Sequence, residues 1–236
     1  MSLPLHTHAR IHGVRDVEIL KVLTAEEALA SHLAPADILL WEAQGDAFAG
    51  SVGAEVFPDA AISISGLRNP HVVQPGDVVR LRPDSTQISV LYRRGSGANT
   101  LFVTERCNSR CLMCSQPPRD EDDSWRTDEL LKLIPLIDRD EVQLGVSGGE
   151  PTLLGEDLGR LIDACALHLP DTGLHILTNG RLFASRALAE NLVQRHPDRV
   201  VWAVPLYGDV AADHDLVVDA PGAFEETLQV LFELGR

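Results

Sequence analysis

The sequence predicts an α/β protein in which four β/α units form part of a barrel or an open parallel sheet, preceded by a small, mostly β domain. Three observations predict it. After residue 96 short apolar runs alternate with amphipathic stretches of helical length, whereas before it the apolar runs are short and separated by turn residues. Between the two patterns lies Arg93-Arg94-Gly95-Ser96-Gly97-Ala98-Asn99, a polar, glycine-bearing segment that punctuates the chain. The domains are accordingly read as residues 1–96 and 97–236.

In the first part a helix start is expected at Thr24, because Glu27 three positions later completes a capping box. Ile38 to Trp41 reads as a strand, as do Ala61 to Ile64, Val78 to Arg82 after the turn Pro75-Gly76-Asp77, and Ile88 to Tyr92. In the second part the pairs are Leu101–Val103 with Asp128–Ile137, Val142–Val146 with Asp157–Leu169, Leu174–Leu177 with Ala184–Gln194, and Val200–Val204 with Phe224–Leu234. Parallel strands joined by right-handed crossovers bring the loops after their C-termini to one edge, where chemistry is expected. A fourth parallel strand would have an open edge that another chain, the N-terminal domain or further sequence must cover, and further sequence after Arg236 is the favoured expectation.

With 236 residues, 44% of them hydrophobic and 23% charged, the chain can bury a substantial core. No run of eighteen apolar residues is present, so no membrane span is expected, and Met1–Gly13 lacks the pattern of a secretory signal. The expected location is the cytoplasm. A formal net charge of -15 repels phosphate backbones and argues against nucleic-acid binding. The acidity is concentrated downstream: residues 1–100 hold 8 Lys/Arg against 11 Asp/Glu, and residues 101–236 hold 12 against 24.

Three of the four cysteines, Cys107, Cys111 and Cys114, fall within eight residues, directly after the first strand of the second domain. That crowding points to a metal or redox centre rather than a disulfide framework. The fourth, Cys165, sits among Leu161, Ile162 and Leu169 in a helical pattern and reads as a buried core residue. Thiolates spaced C-x3-C-x2-C can hold three irons of a [4Fe–4S] cube and leave the fourth iron open to a substrate. Zinc is the competing reading; it needs a fourth protein ligand, such as His175. Arg106 and Arg110 beside the thiols either favour thiolate or make salt bridges, and Leu112 and Met113 are expected to shield the centre from water.

The second strand runs into Ser147-Gly148-Gly149-Glu150-Pro151-Thr152. Its glycines allow close backbone approach, and Glu150 offers an acceptor to a cationic amine. The third strand ends in Thr178-Asn179-Gly180, where Thr178 or Asn179 can hydrogen-bond a ligand or a neighbouring loop. After the fourth strand, Tyr207 and His214 are candidates to line a substrate cavity, with His214 a candidate for proton transfer.

Together the cysteine spacing, Gly148-Gly149-Glu150-Pro151 and Thr178-Asn179-Gly180 resemble the radical S-adenosylmethionine superfamily. The resemblance implies a partial (β/α)6-type radical SAM barrel, a [4Fe–4S] cluster held by Cys107, Cys111 and Cys114, and S-adenosyl-L-methionine contacted by Ser147, Gly148, Gly149, Glu150, Thr178 and Asn179. It further implies reductive cleavage of that cofactor to a 5′-deoxyadenosyl radical, with a flavodoxin- or ferredoxin-type protein as reductant. Longer strings, Asn99–Asn108, Cys111–Pro118 and Pro205–Gly208 with His214-Asp215, resemble the C member of the radical maturases of the His-Xaa-Ser system. That resemblance implies modification of a small His-Xaa-Ser repeat peptide, together with a companion maturase and an accessory protein. Two other readings stay open at this point: a radical enzyme acting on a small metabolite, and a noncatalytic iron–sulfur protein that binds a partner.

Overall fold

The computed structural model describes residues 5–44, 47–52, 62–69 and 71–234. It divides into two units, Met1–Ser96 with Leu136–Asp138, and Gly97–Pro135 with Arg139–Arg236.

The first unit contains β1 (His6–His8), β2 (Arg10–His12), β3 (Glu18–Leu23), α1 (Ala25–Ala30), β4 (Ile38–Gln44), β5 (Ala47–Val52), β6 (Ile62–Ser65), β7 (Val78–Leu81) and β8 (Gln87–Tyr92). They form an eight-stranded sheet in the order β1-β8-β7-β3-β4-β5-β6-β2. Pairing is antiparallel except between β3 and β4. The two outermost strands, β1 and β2, are separated only by Ala9, so one stretch of chain pairs with β8 at one margin and β6 at the other. The sheet therefore curls, and inward residues including Leu20, Val22, Leu39, Ile64, Leu81 and Ile88 make its core. Thr24 caps α1 through the expected box: its hydroxyl accepts from Glu27 N, and the Glu27 carboxylate accepts from Thr24 N.

Of the strands expected here, β4, β6, β7 and β8 form; Ala61 lies outside the described residues. β3 was not among those expected. Its sequence, Glu-Ile-Leu-Lys-Val-Leu, is broken by Lys21, yet Lys21 is only 2% exposed. Its ammonium donates to Asp138 Oδ1 at 2.8 Å and lies 5.0 Å from the centre of the Tyr92 ring. Arg94 also binds the Asp138 carboxylate, donating from Nε at 2.7 Å, and reaches Glu27 with Nη1 at 2.5 Å. The compensating acid lies 117 residues downstream, so local pattern could not reveal that Lys21 is tolerated in a buried strand.

The second unit contains β9 (Thr100–Phe102), α2 (Trp125–Leu133), β10 (Gln143–Ser147), α3 (Glu156–His168), β11 (Gly173–Leu177), α4 (Arg186–Val193), β12 (Val200–Ala203), α5 (Ala211–Val218) and α6 (Ala223–Leu234). The strands form a parallel sheet in the order β12-β11-β10-β9, so each lies beside its predecessor in the chain. Register is what makes the site: Ser147 pairs with Phe102, Val146 with Ile176, and Leu177 with Ala203, so the four strands end level. All four following loops leave from one edge. α3 turns Leu158, Leu161, Ile162 and Cys165 into the core, as its spacing predicts.

Two elements differ from expectation. α2 begins at Trp125 and gives way to a 3-10 turn over Ile134–Leu136, because Pro135 cannot continue the hydrogen-bond ladder. α5 was not expected as a helix, since Ala-Ala-Asp-His-Asp-Leu-Val-Val has no clean apolar stripe; it buries only His214 and Val218. Among the described residues, no helix is long and apolar enough to cross a membrane.

Burial acts to raise the Asp138 carboxyl, but hydrogen bonds from Arg94 and Lys21 outweigh it and hold that group below the usual carboxylate range. Asp138→Ala should therefore cost about 3–5 kcal/mol in urea unfolding by leaving Lys21 buried without a partner, and Lys21→Met in the same background should recover much of it. Because the folded-state value is depressed, the stabilisation from Asp138 is present at neutral pH and is lost as pH falls through that value. The gap between wild type and Asp138→Asn should narrow in acid.

Candidate active site

The site is built on an apposition of two backbones. Beyond β9, Val103 N donates to Ser147 O at 2.8 Å, Gly149 N to Thr104 O at 2.7 Å and Glu150 N to Arg106 O at 2.8 Å. A β-carbon on Gly148 would lie 2.5 Å from Thr104 O, and one on Gly149 would lie 2.1 Å from Arg106 O. The paired glycines are thus required by the chain's own cysteine segment, which no side chain at these positions would allow to pack.

Asp123 holds the same segment from behind. Only 7% exposed, its carboxylate accepts from the Thr104 hydroxyl at 3.0 Å and from Glu105 N at 2.6 Å, and pairs with Arg106 at 3.3 Å. Arg126 stacks over Trp125 and Phe102 and donates to Glu105 at 2.5 Å. Arg106 is therefore engaged with a carboxylate rather than held in reserve for a thiol.

Glu150 is 1% exposed. Its Oε1 accepts from Thr152 N (2.9 Å), the Thr152 hydroxyl (2.6 Å) and the Thr178 hydroxyl (2.5 Å), while Oε2 accepts from Asn179 N (2.7 Å). The carboxylate joins the loops after β10 and β11, and its charge is compensated by fixed donors. The Asn179 side chain then bridges to the cysteine loop, donating from Nδ2 to Asn108 Oδ1 at 2.6 Å and lying 4.0 Å from Cys107 Sγ. Thr178 and Asn179 thus both contact neighbouring loops.

From Cys107 to Cys114 the chain is a loop. Cys114 N donates to Cys111 O at 3.0 Å, which makes a tight turn, and Leu112 N donates to Val217 O at 2.9 Å. That turn sends Leu112 and Met113 outward, 72% and 53% exposed, so they do not provide the shield expected of them. Cys111 instead packs against Val218, Ala220 and Ala223 between α5 and α6. Burial pushes the Cys107 thiol up, and Glu150, Cys111 and Cys114 push it further; burial and Cys114 act the same way on Cys111. Cys165 is 1% exposed, and burial raises its thiol to about 12.

Tyr207 and His214 face each other with ring centres 6.0 Å apart. His214, 2% exposed, uses Nδ1 to accept from Tyr207 N at 3.2 Å and lies 5.9 Å from Phe224. Its ring thus fixes the loop after β12, while Tyr207 is 43% exposed. Burial raises the Tyr207 phenol, and the Cys111 and Cys114 thiols add to the effect.

Cys107, Cys111, Cys114, Ser147, Gly148, Gly149, Glu150, Thr178, Asn179, Tyr207 and His214 all line one cavity of about 470 Å³. His175 does not line it. Reading the sequence missed Asp123, the last of four consecutive acids, and Ser109, Arg181 and Thr227, which carry no signal apart from their neighbours.

The donor set fits an iron–sulfur cube better than one zinc ion. Zinc needs four donors within about 2.0–2.3 Å of one point. Three thiols line the cavity, and His175, suggested as a fourth ligand for zinc, does not. A cube offers three separate irons, so its thiolates can stand apart around one cavity.

Residues 101–204, somewhat under half of the chain, match the family profile of the radical SAM superfamily. Members of that superfamily use a [4Fe–4S] cluster and S-adenosylmethionine. Among individual proteins, the GTP 3′,8-cyclase of Sulfurimonas denitrificans is 35% identical over 95 residues, which is 37% of this chain and 28% of that protein. The match thus spans less than a third of its relative.

Two outcomes test this geometry. Gly149→Ala should destabilise the second unit and release the cysteine loop, whereas Gly97→Ala, whose added carbon meets nothing within 4 Å, should leave both unchanged in urea unfolding and thiol mapping. With a maleimide, Cys107, Cys111 and Cys114 should label in the folded, metal-free protein and Cys165 only after unfolding.

Proposed function

We propose that residues 97–236 are the catalytic part of an enzyme that cleaves S-adenosylmethionine reductively, built as a partial (β/α)6-type radical SAM barrel. Three free thiols, the Gly148-Gly149 turn and Asn179 on one cavity carry this reading. The chain-order succession of the four parallel strands is the arrangement that a β/α barrel needs.

In this reading Cys107, Cys111 and Cys114 hold three irons of the cluster. When bound, such a cluster supplies a low-potential electron to the sulfonium at its open iron and so starts radical chemistry. The chain's own contribution is placement. Gly148 and Gly149 bring the cofactor loop against the cysteine segment, and the Glu150 carboxylate keeps the loops after β10 and β11 in step. Oε2 accepts one bond from Asn179, which leaves it acceptor capacity for the cofactor's ammonium. Leu177, Val204 and Pro205 give the cavity an apolar wall. The buried His214 ring orients Tyr207 toward the space that substrate would occupy.

For substrate, the strings around the cysteines and Pro205-Leu206-Tyr207-Gly208 support a His-Xaa-Ser repeat peptide; a flavodoxin- or ferredoxin-type donor would reduce the cluster, and a companion maturase and an accessory protein would act alongside. A second reading, a nucleotide substrate, is favoured by the 35% identity to a protein named for GTP cyclisation.

Anaerobic reconstitution tests the core claim. The protein should take up iron and sulfide, its reduced electron paramagnetic resonance signal should change on adding S-adenosylmethionine, and dithionite should drive formation of 5′-deoxyadenosine. Cys107→Ala, Cys111→Ala and Cys114→Ala should each abolish that product, while Cys165→Ala keeps it. Uptake of zinc alone, with no response to the cofactor, would overturn the proposal. Incubation with a His-Xaa-Ser repeat peptide or with GTP, followed by mass spectrometry, separates the two substrate readings.

A further inference from the structure

The cysteine loop is irregular between Cys107 and Cys111, and its shape is imposed by groups that come much later in the chain. Arg181, in the 3-10 turn after Thr178-Asn179-Gly180, donates from Nη1 to Asn108 O at 2.5 Å and to Ser109 Oγ at 3.3 Å. Its Nε donates to Glu226 Oε2 at 2.5 Å, in the first turn of α6. Its own backbone N donates to Asn179 Oδ1 at 3.1 Å, and Asn179 in turn holds the Asn108 side chain. Asn108 and Ser109 directly follow Cys107 in the chain, so the groups that Arg181 grips adjoin a thiol. The guanidinium is 16% exposed and Glu226 41%, which makes this a half-buried clamp rather than a solvated surface pair.

We infer that Arg181 is a positioning residue for the cysteine loop, aimed by Glu226, so that retention of a cluster at Cys107 depends on a helix that supplies no ligand. The planar fork matters: one edge meets α6 while the other meets the loop carbonyl, and an ammonium cannot span both. Groups that orient ligands without binding metal typically change metal retention about 10–100-fold when removed. The inference rests on the proposed cluster, and its test has one arm that needs no metal.

The test compares Arg181→Met, Arg181→Lys and Glu226→Gln with Arg195→Met, which breaks an ion-pair network elsewhere in the same unit. In the metal-free protein, maleimide labelling of Cys107 and Cys111 should accelerate several-fold in Arg181→Met while Cys114 keeps its rate. In the reconstituted protein, transfer of iron to a ferrous chelator should accelerate about 10–100-fold. Arg181→Lys should behave like Arg181→Met, Glu226→Gln should fall between, and the double variant should be no worse than Arg181→Met alone. The urea midpoint should fall no further than in Arg195→Met. Unchanged labelling and iron release in Arg181→Met would overturn the inference, as would changes that merely track a lower urea midpoint. If wild-type protein binds no cluster, the cofactor proposal fails, and the labelling arm alone still decides the role of Arg181.

Discussion

Thr104–Arg106 and Gly148–Glu150 run so close together that no β-carbon fits between them, and the spacing of the whole cavity follows from that contact. Backbone donors on one segment meet backbone acceptors on the other, so neither length of chain can shift without leaving buried polar groups unpaired. The cysteine segment therefore leaves β9 in a fixed direction before it becomes irregular. Asp123 and its arginines close the far side, and the level ends of β10, β11 and β12 supply the remaining walls.

Charge placement follows a common rule in both units. Lys21 and Glu150 are almost fully buried; Lys21 is met by the Asp138 carboxylate and the Tyr92 ring, and Glu150 by Thr152, Thr178 and Asn179. A buried charge with partners on separate segments holds those segments in one arrangement, whereas an unpartnered one would favour unfolding or neutralisation. Asp138 plays this part in the first unit and Glu150 in the second. Arg181 extends it to the cysteine loop, where a cation gathers a carbonyl, a hydroxyl and a carboxylate.

The thiols show why a site of this kind is assembled rather than local. Burial and mutual proximity work against the ionised form at Cys107 and Cys111, and the neighbouring Arg106 is committed to Asp123. Stabilisation of thiolates is left to whatever metal they bind, while the protein's investment is in holding three sulfurs around a shared space.

Local chemistry was legible in the sequence where the cause is local. The Thr24 and Glu27 box, the core face of α3 with Cys165, the alternation of strands and helices past residue 96 and the spacing of three cysteines depend on residues a few positions apart. The sequence also named the loops whose residues share the cavity, because parallel strands with chain-order neighbours must send those loops to one edge. Tertiary structure alone decided what each residue meets. Lys21 sits in a buried strand because of an acid 117 residues away; Gly149 is glycine because of Arg106 O; Leu112 and Met113 face solvent because they lie in the Cys111–Cys114 turn, which Val217 O holds at Leu112 N. α5 escaped notice because packing around His214 and Val218, and not an apolar stripe, makes it a helix. A periodic pattern records which face is buried, but it carries no record of which distant carbonyl or carboxylate will arrive there.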